Sequence, residues 1–413
     1  MVLDKFSWKR ILFIIGIFGP GIITSLVDND VGGITTYSVA GARFEYTLLW
    51  SLIPITILLI IVQEMCARMG AVTGKGLSDL IRENFGIRTT FFIMAGLLFA
   101  NFFVIVADFA GIASMAGIFG INRFAIVIAS AILVWILTIR LNYRFLEKFF
   151  LFLGLFYLTY IASGFLAQPD WGRVAKETLV PSFSLAPGYW VLLIAIIGTT
   201  VTPWMQFYLQ SSIVEKGVKK EDYKYTRMDV ILGSIVTDVI SFFIIVSTAT
   251  VLFTHGIQIE TAPEAASALE PFAGSYATIL FAIGFVAAGL FGAFVVPIST
   301  SYVVCEAFGW ESGVNKKFRE AKAFYILLTL LIGLSAVITL LPETRLVPLI
   351  LTSQVINGII LPVVLITILI LINKKEIMKS YTNPLWLNIV AWASCVLILL
   401  STIVMIATSA FGA

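Results

Sequence analysis

Long apolar stretches, each able to cross a hydrocarbon core of about 30 Å, follow one another along the whole chain with short polar joints between them. The pattern predicts eleven helical spans, near 11–42, 44–67, 90–119, 124–141, 147–167, 188–214, 229–254, 275–305, 323–341, 346–372 and 385–410. The first span is cut by Asp28-Asn29-Asp30-Val31-Gly32-Gly33, and the sixth by Thr202-Pro203-Trp204-Met205-Gln206. Grouped as five plus five with the last span left over, the single transmembrane domain divides into repeats at 11–167 and 188–372 and an eleventh helix at 385–410. Each half then opens on an interrupted helix, and the halves are inverted in the membrane because five is odd. Matching interruptions point to a binding site near the bilayer midplane.

Composition agrees with the pattern. The chain is 59% hydrophobic and 12% charged, with mean hydropathy +1.00, whereas a soluble domain carries roughly 25% charged residues. No joint is long enough to hold a soluble domain. No cleavable leader is expected, since the first apolar segment lacks a small-residue cleavage site. Cys66, Cys305 and Cys395 are scattered in or beside apolar spans, which fits neither a disulfide framework nor a zinc site. A single histidine, His255, leaves no multi-histidine relay.

Charge distribution orients the chain. All but five of the 27 Lys and Arg fall in joints on one side; the exceptions are Arg43, Arg123, Arg173, Lys176 and Arg345. The joint from His255 to Phe272 has none and carries three glutamates. The positive-inside rule then places the N-terminus in the cytoplasm and the C-terminus outside, in a plasma membrane.

The candidate chemistry lies at the interruptions. A carboxylate at bilayer depth costs a few kcal/mol or more unless it meets a cation or a cavity. Asp28 and Asp30 would diverge on a regular helix, but both can approach one ion where the helix unwinds. Gly32 and Gly33 permit such a break and free backbone carbonyls. Asn29 is either a ligand or a helix-end cap. Pro203 removes one backbone hydrogen bond from the sixth span, so carbonyls around Thr200–Thr202 become available as ligands. Trp204 and Gln206 follow as pathway residues. Asp108 and Asp238 either line a water-filled pathway or bond a neighbouring helix. Gln354 and Asn357 lie one turn apart on the tenth span and share a face, which serves either a cation or interhelical bonding. Glu64 and Glu306 belong to the inner membrane face.

These segments resemble the Nramp family of divalent metal transporters over most of the chain. Gly19-Pro20 through Gly41-Ala42 is similar to that family's first span, with Asp30-Val31-Gly32-Gly33 on its Asp-Pro-Gly-Asn metal motif. Ala71-Val72-Thr73-Gly74-Lys75-Gly76-Leu77 resembles its inner loop after span two. Thr200-Val201-Thr202-Pro203-Trp204 falls on the Met-Pro-His motif, and Ser353-Gln354-Val355 on span ten, whose Gln helps enclose the ion. The resemblance implies a LeuT-type inverted-repeat fold, alternating access, and a metal site at Asp30, Thr202 and Gln354, with Asp28 and Gly33 beside them.

The departures change the expected chemistry. The family's Asn ligand is Gly33 here, its thioether is Thr202, its histidine is Trp204, and the acid that follows Asp108 is Gly111. Losing the soft thioether removes discrimination against hard ions. Replacing Asn by Gly and Met by Thr is expected to widen the cavity. Mg²⁺ keeps several waters around one or two carboxylates. The expected cargo is therefore partly hydrated Mg²⁺, with Mn²⁺ as its mimic, carried without proton coupling because the family's histidines are missing.

No resident cofactor, nucleic-acid partner or enzymatic role is expected; the partners are divalent metal ions and the lipid bilayer, and a monomer suffices. Two alternatives stay open: a proton-coupled Mn²⁺/Fe²⁺ importer with a relay rebuilt through Asp108 and Asp238, and a LeuT-type carrier of organic cations using a Trp204 cation–π face.

Overall fold

The computed structural model describes residues 19–411, apart from 117, 185, 187, 258, 260–274 and 342–345. Residues 11–18 of the expected first span, most of the acidic joint after His255, and Arg345 lie outside the described residues.

Among the described residues the regular elements are all helices. The series begins with α1 (Pro20–Leu26), a short 3-10 turn at Val27–Asn29, and α2 (Val31–Phe44). Then follow α3 (Leu52–Thr73), α4 (Leu77–Met115), α5 (Arg123–Arg140), α6 (Tyr143–Gly154) and α7 (Leu158–Leu166). A short α8 (Trp171–Leu179) leads to α9 (Tyr189–Thr200), α10 (Pro203–Lys216) and α11 (Tyr223–Thr248). The last part comprises α12 (Ser275–Phe308), α13 (Lys322–Leu340), α14 (Leu346–Asn373), α15 (Lys375–Met378) and α16 (Leu385–Phe411). Among the described residues, ten helices are long and apolar enough to cross a membrane; α1 with α2 adds the described part of the first expected span.

Several boundaries differ from those read along the sequence. The second span runs on to Thr73 because Glu64 and Arg68, one turn apart, pair at 3.1 Å inside the helix and let it continue past the apolar run. The third begins at Leu77, well before residue 90, so of the Ala71–Leu77 stretch read as an inner loop only residues 74–76 lie between helices; a kink at Gly86 (φ 78°) redirects the third span. The fifth span bends through a 3-10 turn at Leu155–Tyr157. The joint after it contains α8, whose start is capped by Asp170 bonding the Gly172 and Arg173 amides.

Side-chain bonds sort the joints into two ends. Lys216 meets Glu147 at 2.5 Å, Gln210 bonds the Lys75 carbonyl, Arg82 bonds the Glu306 carbonyl, and Lys374 bonds Asn84, so the Lys/Arg-rich joints share one end. Arg173 pairs with Glu45, and Ser182 bonds the Thr47 carbonyl, at the other. Large apolar side chains such as Phe92, Ile132, Leu334, Leu397 and Ile403 stay exposed around the waist, as a lipid-facing surface requires.

Small residues bring helices close at the interrupted segments. A Cβ added at Gly198 of α9 would overlap the Gln354 carbonyl of α14, and one at Gly358 would lie 2.7 Å from the Ile194 carbonyl. Gly21 and Gly233 make the same kind of close approach between α1 and α11. Asp229 of α11 secures that contact, accepting from the backbone amides of Gly19, Gly21 and Ile22 at 3.0, 2.6 and 3.2 Å.

Candidate metal site at the helix interruptions

The first interruption falls at Val27–Asp30. Asp30 is extended (ψ −174°) and caps α2, its Oδ1 accepting from the Gly33 amide at 2.9 Å. Gly32 and Gly33 therefore stand in the first turn of the following helix, not in the break where the glycine pair was expected. A capping carboxylate ends the helix locally, so the glycines are free for another purpose. That purpose is close approach. A Cβ at Gly33 would overlap the Asp28 carbonyl oxygen, and one at Gly32 would overlap Gln354 Nε2 and lie 3.0 Å from Asp30 Oδ1. The widening expected from Gly33 does not occur at that point, because the unwound Asp28 carbonyl fills the space.

The second interruption falls at Val201-Thr202. Pro203 opens α10 and has no amide hydrogen for the Thr199 carbonyl; the Thr202 hydroxyl donates to that carbonyl instead. Its hydrogen is thus engaged inward, and its oxygen lone pairs remain available to a cation. The two interruptions meet directly. Tyr37 of α2 shares a 2.7 Å hydrogen bond with Thr200, and Thr199 Oγ1 lies 3.4 Å from the position of a Gly33 Cβ.

Asp108 joins from α4. It is fully buried, its Oδ1 accepts weakly from the Val31 amide at 3.4 Å, and its Oδ2 has no hydrogen-bond partner. Its carboxylate packs on Gly292 of α12, where a Cβ would displace it. The family's second acid has no room at Gly111, whose Cβ position is filled by Val31 and Phe285.

Gln354 arrives from α14 in an orientation opposite to that of an oxygen ligand. Its Oε1 accepts from Asn357 Nδ2 at 3.2 Å, while Nε2 faces Gly32 and Asp30. Presenting the oxygen requires the amide to turn over and release Asn357.

Other expected residues are placed elsewhere. Asn29 faces α11, donating to the Thr237 carbonyl and hydroxyl at 3.1 and 2.6 Å and accepting from Ser241 at 3.0 Å. Both of its donors and its acceptor serve helix packing, so the cap-or-ligand alternative gives way to an interhelical bond. Asp28 directs Oδ2 toward Tyr37 at 3.4 Å and leaves Oδ1 buried without a partner. Asp238, on the same side as Tyr37 and also buried, has no hydrogen bond to either carboxylate oxygen. Trp204 packs edge-on against Tyr208, and its carbonyl accepts from Ser299. Gln206 is fully buried with neither amide atom bonded. Glu306 bonds Ser211 at 2.6 Å near the Lys/Arg-rich end.

Sequence reasoning missed Thr199, Tyr37 and Asp229. Tyr37 was the most findable, since it lies seven residues after Asp30 and so on the same helix face. Asp229 carried no local signal, because its partners lie more than 200 residues away.

What gathers at the interruptions is oxygen, from two carboxylates, the Asp28 carbonyl and threonine hydroxyls; the Gln354 amide presents its nitrogen. Among the described residues no three His, Cys, Asp or Glu side chains converge as a metal cluster. Such a donor set suits a hard cation that retains water.

The family model described as natural resistance-associated macrophage protein-like (Nramp) matches residues 21–408. The divalent metal cation transporter MntH of Bacillus subtilis (strain 168) is 27% identical over 399 residues, covering 92% of this chain and 89% of its own. The MntH protein of Caldanaerobacter subterraneus is 25% identical over 390 residues, covering 88% and 86%. The Eremococcus coleocola manganese transporter, solved with an aromatic bis-isothiourea compound, superposes with a TM-score of 0.78 at 20% identity, covering 97% of this chain and 87% of its own. Mhp1, a nucleobase-cation-symport-1 family transporter, superposes at 0.59 with 14% identity. The likenesses in structure speak for the fold alone.

Proposed function

Since this chain belongs to the Nramp family and is a multi-pass membrane transporter rather than an enzyme, we propose that it carries a partly hydrated divalent cation, Mg²⁺ or Mn²⁺, without proton coupling. The observation that supports this reading is the donor set at the interruptions, which holds oxygen where softer ligands would select transition metals. Asp30 supplies the main charge on the ion and Asp108 the second. Thr202 and the Asp28 carbonyl complete the shell directly or through water, and Gln354 joins once its amide turns. The two interrupted helices rock around this point to open the site to each side in turn.

Absence of proton coupling is supported by Gly111, where an acid has no room, and by Trp204 in place of a histidine. Uptake can still be strongly driven. A divalent ion gains roughly 4.6 kcal/mol per 100 mV of inside-negative potential, on the order of 2,000-fold accumulation. Asp108 Oδ2, Asp28 Oδ1 and both carboxylate oxygens of Asp238 have no hydrogen-bond partner; these acids could take up protons, and a relay through Asp108 and Asp238 keeps a proton-coupled Mn²⁺/Fe²⁺ importer as the second reading.

Competition binding tests the selectivity. Mg²⁺ displaces bound Mn²⁺ from the purified protein at comparable concentrations, and Cd²⁺ holds no large advantage. Cd²⁺ displacing Mn²⁺ at concentrations a hundredfold lower than Mg²⁺ would overturn the hard-ion assignment.

A further inference from the structure

At the Lys/Arg-rich end of the bundle, away from the interruptions, a cavity of about 440 Å³ opens between α3, the start of α11 and the joint from α15 to α16. Its polar wall is Glu64, Arg68, Tyr223, Arg227 and Tyr381. Glu64 and Arg68 neutralise one another. Arg68, only 7% exposed, also donates to the Tyr381 and Thr382 carbonyls and to Asn383 Oδ1, which fixes its guanidinium against the joint.

Two buried donors in this wall are unused. Arg68 Nε and the Tyr223 hydroxyl have no hydrogen-bond partner. Arg227 adds a positive charge at the mouth and has no ion pair among the described residues. Tyr223 is also the first residue of the 26-residue α11, so the positive end of that helix lies at this wall.

Apart from Ser380 and Thr382, the remaining wall is apolar, formed by Ile60, Ile61, Ile231 and Leu387 with Trp386. It continues onto the outer face of α16, where Leu385, Trp386 and Ile389 are 76%, 60% and 60% exposed. A soluble anion has no use for such a flank; a lipid has.

We propose that this cavity binds the phosphate headgroup of an anionic phospholipid, held by Arg68 Nε, Arg227 and Tyr223, with its acyl chains along Ile231 and Trp386. Basic pockets between helices at the cytoplasmic membrane face have the chemistry for such headgroups. The bound lipid bridges α3 and α11 to the joint that leads into α16.

The test uses the full chain in neutral detergent, with thermal unfolding followed as phosphatidylglycerol, phosphatidylcholine or inorganic phosphate is added. Phosphatidylglycerol raises the unfolding temperature saturably, and the other two do not. Arg227→Ala weakens the apparent affinity roughly five- to tenfold, and Tyr223→Phe weakens it less. Lys219→Glu, a larger charge change on the exposed joint outside the cavity, leaves it unchanged. Equal stabilisation of wild type, Arg227→Ala and Tyr223→Phe would overturn the proposal, as would an equal effect of Lys219→Glu or of inorganic phosphate. None of these readouts involves transport, so their failure leaves the cargo assignment untouched.

Discussion

Asp30 and Asp108, from helices far apart in sequence, address the N-terminus of one helix: Asp30 Oδ1 accepts from the Gly33 amide at 2.9 Å and Asp108 Oδ1 from the Val31 amide at 3.4 Å. The positive end of α2 lowers the cost of holding two carboxylates in the membrane interior, and the proposed divalent cation between them would remove the rest. Asp30→Ala is expected to abolish uptake while the protein still folds, and Asp108→Asn to reduce uptake at least tenfold. Uptake assays with circular dichroism as the folding control separate loss of the site from loss of the structure.

Gly33 is a position of contact, not of empty space. Gly33→Ala forces its methyl group against the Asp28 carbonyl, which costs about 1–3 kcal/mol of stability and displaces a proposed ligand. Lowered unfolding temperature together with weaker Mn²⁺ binding is the expected outcome. Unchanged binding would show that the Asp28 carbonyl is not part of the ion's shell.

Thr202→Met places a thioether beside the second interruption. Soft ions gain and hard ions do not, so Cd²⁺ affinity is expected to rise at least tenfold while Mg²⁺ affinity falls. Isothermal titration with each ion checks this, and an unaltered Cd²⁺ affinity would separate Thr202 from the site.

Asn357 donates to the Gln354 oxygen, while Gln354 Nε2 faces Gly32. Asn357→Ala frees the amide to turn, and a hydrogen bond of net worth about 0.5–1.5 kcal/mol then no longer opposes coordination. The expected result is a KM lowered a few-fold, an effect lost in the double variant with Gln354→Ala.

Gly111→Glu asks whether the absent acid can simply be put back. Val31 and Phe285 fill that space, so the single variant is expected to destabilise the protein without bringing proton movement. Loss of thermal stability and a silent pH dye during uptake are the measurements to make.

The helices were legible because each is a long apolar run, and the interruptions because charge and proline stand out against such runs. Asp30 stands out in the same way, since a carboxylate in a span has few structural excuses. The detail of the break was not legible. Glycines signal freedom without saying how it is used, and Gly32 and Gly33 use it for close approach within a helix. Asn29 was ambiguous because its partners, Thr237 and Ser241, are ordinary helix residues more than 200 positions away. Gln354 was placed on the right face, but which of its amide atoms points at Asp30 depends on Asn357 and on the Gly32 surface, and only packing decides that. Boundaries slipped where charged residues pair within a helix, as Glu64 and Arg68 do.

The most direct test of hard-ion transport without protons is uptake into proteoliposomes containing a pH dye, with Mg²⁺ and Mn²⁺ offered separately under a negative-inside potential. The account predicts that both ions enter, faster as the potential grows, with no change in internal pH. Uptake of Mn²⁺ with acidification and none of Mg²⁺ would contradict it.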